Sequence, residues 1–337
     1  MLIVYIDIGI GWDPILHMAK LAAELLDAEL LVWDGHKIPL PNRLQQLRFM
    51  LSSRNPQSDD SCMLICPSAP NMAHAIYVDE IKKKFKFVSA WVIDSFWVDR
   101  IPLIAKYTKT FDHVFITSAE DIDAWEAVTK TPTSWLPWGA DVLRLGGSNA
   151  ERPWDLTRIG RQPAEWEDDA NTGKMCADIG LTFHGRLPFS DTHPLDNQKN
   201  LMDLYKKSKF LVAFSTKSSP GSYTHPIRQY LTARWTDSLA CGAIVAGIAP
   251  REPSIDNLLW SGATLELGTT SLKQGLAVLA DAKQEWTKDK AEHNYKMALQ
   301  RLDWRLRFVE IAKIHHLSPK RLYAELDEIK LLVEPVN

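Results

Sequence analysis

Short runs of β-branched and aliphatic residues alternate with amphipathic stretches along nearly the whole chain. That rhythm predicts parallel sheets joined by crossover helices. The first strand is LIVYIDI (2–8); Asp13 then caps a helix with Pro14 at its first position and Ile15, Ala19, Ala22 and Leu26 on one face. ELLVWD (29–34) is the next strand, followed by a helix in NRLQQLRFMLSSR (42–54), a strand in CMLICPS (62–68), a helix in MAHAIYVDEIKKKF (72–85) and a strand in FVSAWVID (87–94). DHVFITS (112–118) repeats the theme, with Ser118 capping the helix AEDIDAWEAVTK (119–130).

Over 139–154, GADVLRLGGSNAERPW, the alternation stops and Gly, Asn and Pro take over, as in an interdomain linker. A second alternation follows: DLTRIG (155–160), a helix over 163–177, LTFHG (181–185), a helix over 196–207, FLVAFS (210–215), a loop and helix from Ser218, AIVAGIA (243–249), a short helix over 254–260 and ATLELG (263–268). From 271 onward the pattern is helical. The fold class expected is therefore α/β, with an N-terminal Rossmann-like domain over 1–148, a C-terminal Rossmann-like domain over 149–310 and helices over 311–337 that pack back towards the first domain.

Composition narrows the function classes. With 337 residues, 45% of them hydrophobic, the chain can bury two cores. The formal charge, 39 − 42 = −3, offers no basic excess for nucleic acid or an anionic membrane. The apolar start lacks a basic region and meets Asp13 and Pro14 too early for a signal peptide, and no run approaches the roughly 20 apolar residues of a membrane helix. Cys62, Cys66, Cys176 and Cys241 have no metal-ligand spacing and read as reduced packing residues, which places the chain in the cytoplasm.

Open parallel sheets bind ligands beyond the carboxyl ends of their strands, so the loops there hold the candidate chemistry. After FLVAFS come Ser218, Ser219, Gly221 and Ser222, whose backbone N–H groups and hydroxyls, with the N-terminus of the following helix, outline an anion site. Arg228 and Arg234 add bidentate donors for phosphate oxygens, and Asp237, three residues after Arg234, suits vicinal ribose hydroxyls. The same helix also reads as an amphipathic one with a solvated Arg–Asp pair. Gly160 with Arg161, and Gly185 with Arg186, repeat the pattern of Gly and Arg at strand ends, a rim for a phosphorylated ligand. In the first half, Asp94 ends a strand among Trp91, Phe96 and Trp97. It reads either as a carboxyl group raised in pKa and orienting an acceptor hydroxyl, or as a turn or N-cap aspartate. GIGW (9–12) lacks the third glycine and the ribose acid of a dinucleotide fingerprint, and no zinc or Ser-His-Asp motif is present. The DID at 121–123 falls in a predicted helix and reads as surface charge.

LTARWTDSLACGAIVAG (231–247) resembles the E-A-x-A-x-G-x-P-V block of retaining nucleotide-sugar glycosyltransferases, and more closely the T-x-R-x-[FW]-E-x-x-A-x-G form of spore-maturation-type glycosyltransferase-like proteins. WLPWGAD (135–141), RIGRQP (158–163) and LDWRLRF (302–308) resemble further segments of that family in order and spacing, so the resemblance covers roughly 130–310. It implies a GT-B fold, two Rossmann-like domains facing across a cleft, with a UDP- or GDP-type nucleotide-diphosphate sugar as substrate rather than a bound cofactor. It also implies a saccharide or other hydroxyl acceptor, retention at the anomeric carbon and no metal. By position, Asp237 stands where the family holds the donor ribose with glutamate, Arg234 at the arginine of the block and Arg161 near the diphosphate. Gln229 stands where the broad family has a second glutamate, which leaves open a non-catalytic binding or scaffold protein of the same fold; a nucleotide-sugar isomerase is a further alternative.

Overall fold

A computed structural model describes residues 1–9, 11–37, 42–51, 59–78, 85–188, 194–221 and 224–334. They form two α/β units. Unit one comprises Met1–Pro137 and Arg307–Glu325; unit two comprises Trp138–Leu306 and the residues from Leu326 onward.

Unit one is built on a six-stranded sheet of order β2-β1-β3-β4-β5-β6. Its strands are β1 (Leu2–Asp7), β2 (Glu29–Asp34), β3 (Ser61–Ser68), β4 (Phe87–Asp94), β5 (His113–Ile116) and β6 (Thr133–Trp135), and every pairing is parallel. The central strands bury continuous runs, Ile3–Ile6 in β1 and Ser61–Pro67 in β3, because a parallel sheet is covered on both faces. Val4, Ile6, Leu64, Val92, Val114 and Trp125 belong to one such core. Helix α1 (Asp13–Leu25) has Pro14 in its first turn, where a missing N–H costs nothing, but Asp13 is its first residue: Trp12 takes the N-cap position with no side-chain cap. Helices α2 (Arg43–Leu51), α3 (Ile101–Thr108) and α4 (Ile122–Thr129) follow.

Two local expectations are corrected here. Ala69–Val78 forms 3₁₀ turns in place of the α-helix expected from residue 72, and 79–84 lie outside the described residues. Local bonds compete with the helical ladder: Ser68 N–H and Oγ–H both donate to Asn71 Oδ1 (3.0 and 2.8 Å), and His74 Nδ1 lies 3.0 Å from Asn71 O. Asp121 is not surface charge. It is fully buried at the N-cap of α4, while Asp123, two residues on, is exposed.

Unit two carries a five-stranded parallel sheet of order β11-β10-β9-β7-β8. Its strands are β7 (Trp154–Arg158), β8 (Phe183–His184), β9 (Ser208–Phe214), β10 (Ile244–Ile248) and β11 (Thr264–Glu266). The helices are α5 (Val142–Leu145), α6 (Asp169–Asp178), α7 (Pro194–Lys206), α8 (Ala233–Ala240), α9 (Pro253–Asp256), α10 (Leu272–Gln284) and α11 (Lys288–Arg301). The helix expected over 163–177 is split: a 3₁₀ turn at Ala164–Trp166 precedes α6, whose start is fixed by Asp168 accepting from Asn171 N–H at 3.0 Å. Helix α12 (Trp304–Ile314) belongs to unit two up to Leu306 and to unit one from Arg307, and α13 (Lys320–Val333) ends the described chain.

Both sheets have the doubly wound order 2-1-3-4-5, extended by one strand in unit one. The α/β class expected from the sequence is thus the class found. In each sheet the winding direction reverses once, between β1 and β3 and between β7 and β9, and such a reversal opens a crevice at the strands' carboxyl ends.

Candidate functional site

In unit two the reversal lies between the ends of β7 and β9, and the loops there are tied together by side chains from three segments. Gly160 follows β7 in the left-handed region, with φ of 57°, and turns the chain so that Arg161 faces the β9 loop. Arg161 Nε donates to Ser219 O at 2.9 Å and to Ser219 Oγ at 3.4 Å. Gly221 makes this approach possible, since a Cβ there would stand 2.5 Å from Arg161 Nη1. Arg234, in the first turn of α8, donates from Nη1 to Arg161 O at 2.9 Å, and its stem runs beside Gly160, where a Cβ would lie 3.2 Å from Arg234 Cδ. Behind them Gln162, 4% exposed, donates from Nε2 to Val212 O of β9 at 2.9 Å. Arg161, Ser219, Gly221 and Arg234, four residues drawn from three separate stretches of sequence, therefore meet at one strand switch.

The means by which this site would hold an anion differ from the sequence expectation. The backbone N–H groups of Ser218 and Ser219 both donate to Ser215 O, at 3.0 and 2.9 Å, and that of Gly221 donates to Thr224 Oγ1 at 2.9 Å. The loop is a tight turn that satisfies its own donors, so these three amides are not free for phosphate. Ser222 lies outside the described residues. The two guanidinium groups and the N-terminus of α8 stand at the same switch, together with two hydroxyls that sequence reasoning missed. Thr232 is the N-cap of α8 but makes no side-chain cap, and its buried Oγ1 has no hydrogen-bond partner among the described residues. Thr216 Oγ1, just beyond β9, is buried in the same condition. A buried hydroxyl without a partner costs roughly 1–3 kcal/mol, and a phosphate oxygen would relieve that cost. Thr216 has no sequence pattern around it, and Thr232 stood inside the T-x-R block without a role of its own, because a sequence does not show whether a hydroxyl finds a partner.

The other expected residues are placed differently. Arg186 Nη2 lies 3.0 Å from Glu167 Oε2 and 3.3 Å from Gly160 O. Glu167 also pairs with buried Arg158, which reaches Asp169 Oδ1 at 2.7 Å. Burial pushes the Glu167 and Asp169 carboxyls up, but their N–H donors and the two arginines outweigh it and hold both below the usual carboxylate range. Arg228 sits on a turn organised by His225, whose Nδ1 accepts from the backbone N–H groups of Ile227 and Arg228 at 3.1 and 3.0 Å. Asp237 is 2% exposed and its Oδ2 accepts from Gln198 Nε2 of α7 at 3.0 Å.

In unit one, Asp94 ends β4 half-buried, beside Phe96 and Trp97, whose rings are 5.7 Å apart. Burial raises its pKa to about 7, and no hydrogen bond or ion pair engages its carboxyl group among the described residues. Such a group exchanges a proton near neutrality. Among the described residues no cluster of three or more His, Cys, Asp or Glu could hold a metal ion, and no helix is long and apolar enough to cross a membrane.

No protein-family profile and no curated protein matches the sequence. Solved structures align with it at low identity. Accessory secretory protein 1,2 and 3 of Streptococcus pneumoniae aligns at 9% identity and a TM-score of 0.45, over 85% of this chain and 56% of that one. TarM of S. aureus, in complex with fondaparinux, alpha-GlcNAc-glycerol and UDP, aligns at 9% identity and 0.39, over 80% and 55%. The glycotransferase of kitacinnamycin aligns at 10% identity and 0.40, over 99% and 98%. The chain spans little more than half the length of the first two.

Proposed function

We propose that this protein is a metal-independent glycosyltransferase of the GT-B type that takes a nucleoside-diphosphate sugar, UDP- or GDP-linked, in unit two. The observation that carries the reading is the meeting of Arg161 and Arg234 with the N-terminus of α8 at the β7–β9 switch. When the glycosidic bond to the donor phosphate breaks, negative charge grows on the leaving diphosphate. Two guanidinium groups fixed in position, a helix N-terminus and the hydroxyls of Thr216 and Thr232 would stabilise that charge without a cation. The bond then forms between the anomeric carbon and an acceptor hydroxyl, with retention, the diphosphate itself taking the acceptor's proton. In unit one, Asp94 is the group suited to orient a saccharide or other hydroxyl acceptor, since with a pKa of about 7 it can hold or release a proton at neutral pH.

Calorimetric titration with UDP, GDP and their sugars tests the donor site. Binding of one of them is expected, weakened about tenfold in Arg234→Ala, the loss of one charge-assisted contact; no heat and no thermal shift with any of them would sink the proposal. A second reading is a non-catalytic nucleotide-binding scaffold. It is favoured by the uncharged Gln229 and by Asp237 lying at 2% exposure against Gln198. Donor hydrolysis or transfer by the wild type, lost in Arg234→Ala, excludes it.

A further inference from the structure

Unit two also contains a cavity of about 480 Å³ that shares no lining residue with the Arg161–Arg234 site. We infer that it binds a neutral saccharide. One wall is a face of α7: Asn197, Asn200, Leu201 and Leu204 line it at spacings of three, four and seven residues, while Gln198, Met202 and Tyr205 on the adjoining face are buried. The lining also includes Trp154, at the start of β7, and His184, at the end of β8. Their rings meet edge to face, with centroids 5.1 Å apart and planes at 73°. This contact holds the indole in one orientation.

The polar groups favour hydroxyl ligands over charged ones. His184 Nδ1 is 2.7 Å from Gly185 O. A carbonyl oxygen only accepts, so in the neutral ring Nδ1 carries the proton and Nε2 is left as an acceptor. Asn200, exposed on its helix, offers both an amide donor and an acceptor. Asp203 is held by Lys206 at 2.9 Å, which leaves Lys207 as a lone ammonium among the described lining residues; with no arginine fork beside it to grip a phosphate, it donates equally well to hydroxyls. A pyranose has the matching character: an apolar face of C–H groups for Trp154 and the leucines, and a rim of hydroxyls for amide, imidazole and carboxylate. The volume lies within the range of about 300–1,000 Å³ usual for small-molecule sites, enough for a mono- or disaccharide.

The proposal does not rest on the nucleotide site, and the experiment keeps the two apart. The full chain is titrated with neutral mono- and disaccharides of glucose, N-acetylglucosamine and rhamnose, with glucuronate as the anionic control, using saturation-transfer NMR and calorimetry. Millimolar binding of at least one neutral sugar is expected, and Trp154→Ala should weaken it about tenfold by removing the stacking face. Because Trp154→Ala can also disturb β7, Asn200→Trp on the exposed helix face serves as the blocking variant. It should abolish sugar binding while leaving the melting temperature and the UDP or GDP titration unchanged. Absence of binding by every neutral sugar, preference for glucuronate, full binding in Asn200→Trp, or joint loss of sugar and nucleotide binding in that variant would each overturn the inference.

Discussion

Unit two uses arginine in two opposite ways. Arg305 is fully buried, and its Nη1 lies 2.9 Å from Asp141 Oδ1 and 2.9 and 3.1 Å from the two oxygens of Asp303. Both carboxylates are bound further, Asp303 by the N–H groups of Leu143 and Arg305 at 3.0 and 2.8 Å and Asp141 by that of Arg144 at 3.3 Å. Arg161 and Arg234, by contrast, are half-exposed and anchored through the carbonyl oxygens of Ser219 and Arg161. A carboxylate cancels the charge it holds; a carbonyl orients a guanidinium without cancelling it. The first arrangement builds a fold, and the second is the one the proposed donor site draws on.

The contrast is broken or sharpened most directly at Arg305. Arg305→Ala would leave two carboxylates buried without their cation, a change of about 3–5 kcal/mol. Urea unfolding should show a loss of that size, or no folded protein. A loss under about 1 kcal/mol, the level of a surface pair, would mean that the buried network does not hold α12 to the Asp141 segment.

A buried, internally bonded group in unit one should likewise report on stability alone. His315 is 6% exposed, with Nε2 2.8 Å from Ser89 Oγ and its ring against Phe87 at 4.9 Å. Burial, aided by His113, His316 and the N-terminus, lowers its pKa from 6.5 to about 3. The unfolded chain therefore binds a proton that the folded chain refuses between about pH 6.5 and 3, so stability should fall as pH drops through that window, by at most about 1.4 kcal/mol per unit. Between pH 6.5 and 5 this approaches about 2 kcal/mol. Urea titrations at several pH values should show the slope in the wild type and less of it in His315→Gln; equal slopes would assign the acid sensitivity elsewhere.

Arg161→Ala should behave in the opposite manner. Its half-exposed guanidinium is tied to Ser219 by a hydrogen bond to a carbonyl rather than by a buried ion pair, so unfolding should shift by about 1 kcal/mol, the net worth of an ordinary hydrogen bond. UDP or GDP affinity should fall about tenfold, as for one charge-assisted contact. Calorimetry and denaturation on the same variant separate the two roles, and a large loss of stability with unchanged affinity would reverse the comparison.

The sequence made some of this contrast legible and hid the rest, for physical reasons. Parallel strands covered on both faces must be apolar runs, so most of the element order could be read directly, while α3 and the three-residue strand β6 were missed because both are too short to show a clear period. Gly160–Arg161 and the Arg234 block stood out because strand ends and helix starts are where ligands are held, and the structure brings the two together. The WGAD and LDWR segments, seen only as resemblances, meet as Asp141 and Arg305 across 164 residues. Spacing alone gave no sign that their charges neutralise one another. Nor could i,i+3 spacing show that α7 packs over Asp237, because Gln198 lies 39 residues away. The loop amides were misread for a related cause: composition announces a tight turn but not which acceptor each N–H finds.

Arg186 provides the finest test, because the sequence grouped it with Arg161 while the structure sets it on a carboxylate. Its side chain is 45% exposed and that of Glu167 is 38% exposed, so their 3.0 Å contact is screened by water. Arg186→Ala should therefore change stability by less than about 1 kcal/mol. Because Glu167 offsets its charge, nucleotide affinity should also fall by less than about threefold, well short of the Arg161 effect. If instead the two variants lose affinity equally, Arg186 leaves Glu167 when nucleotide binds, and the carboxylate partner is a resting place for the guanidinium in the empty site.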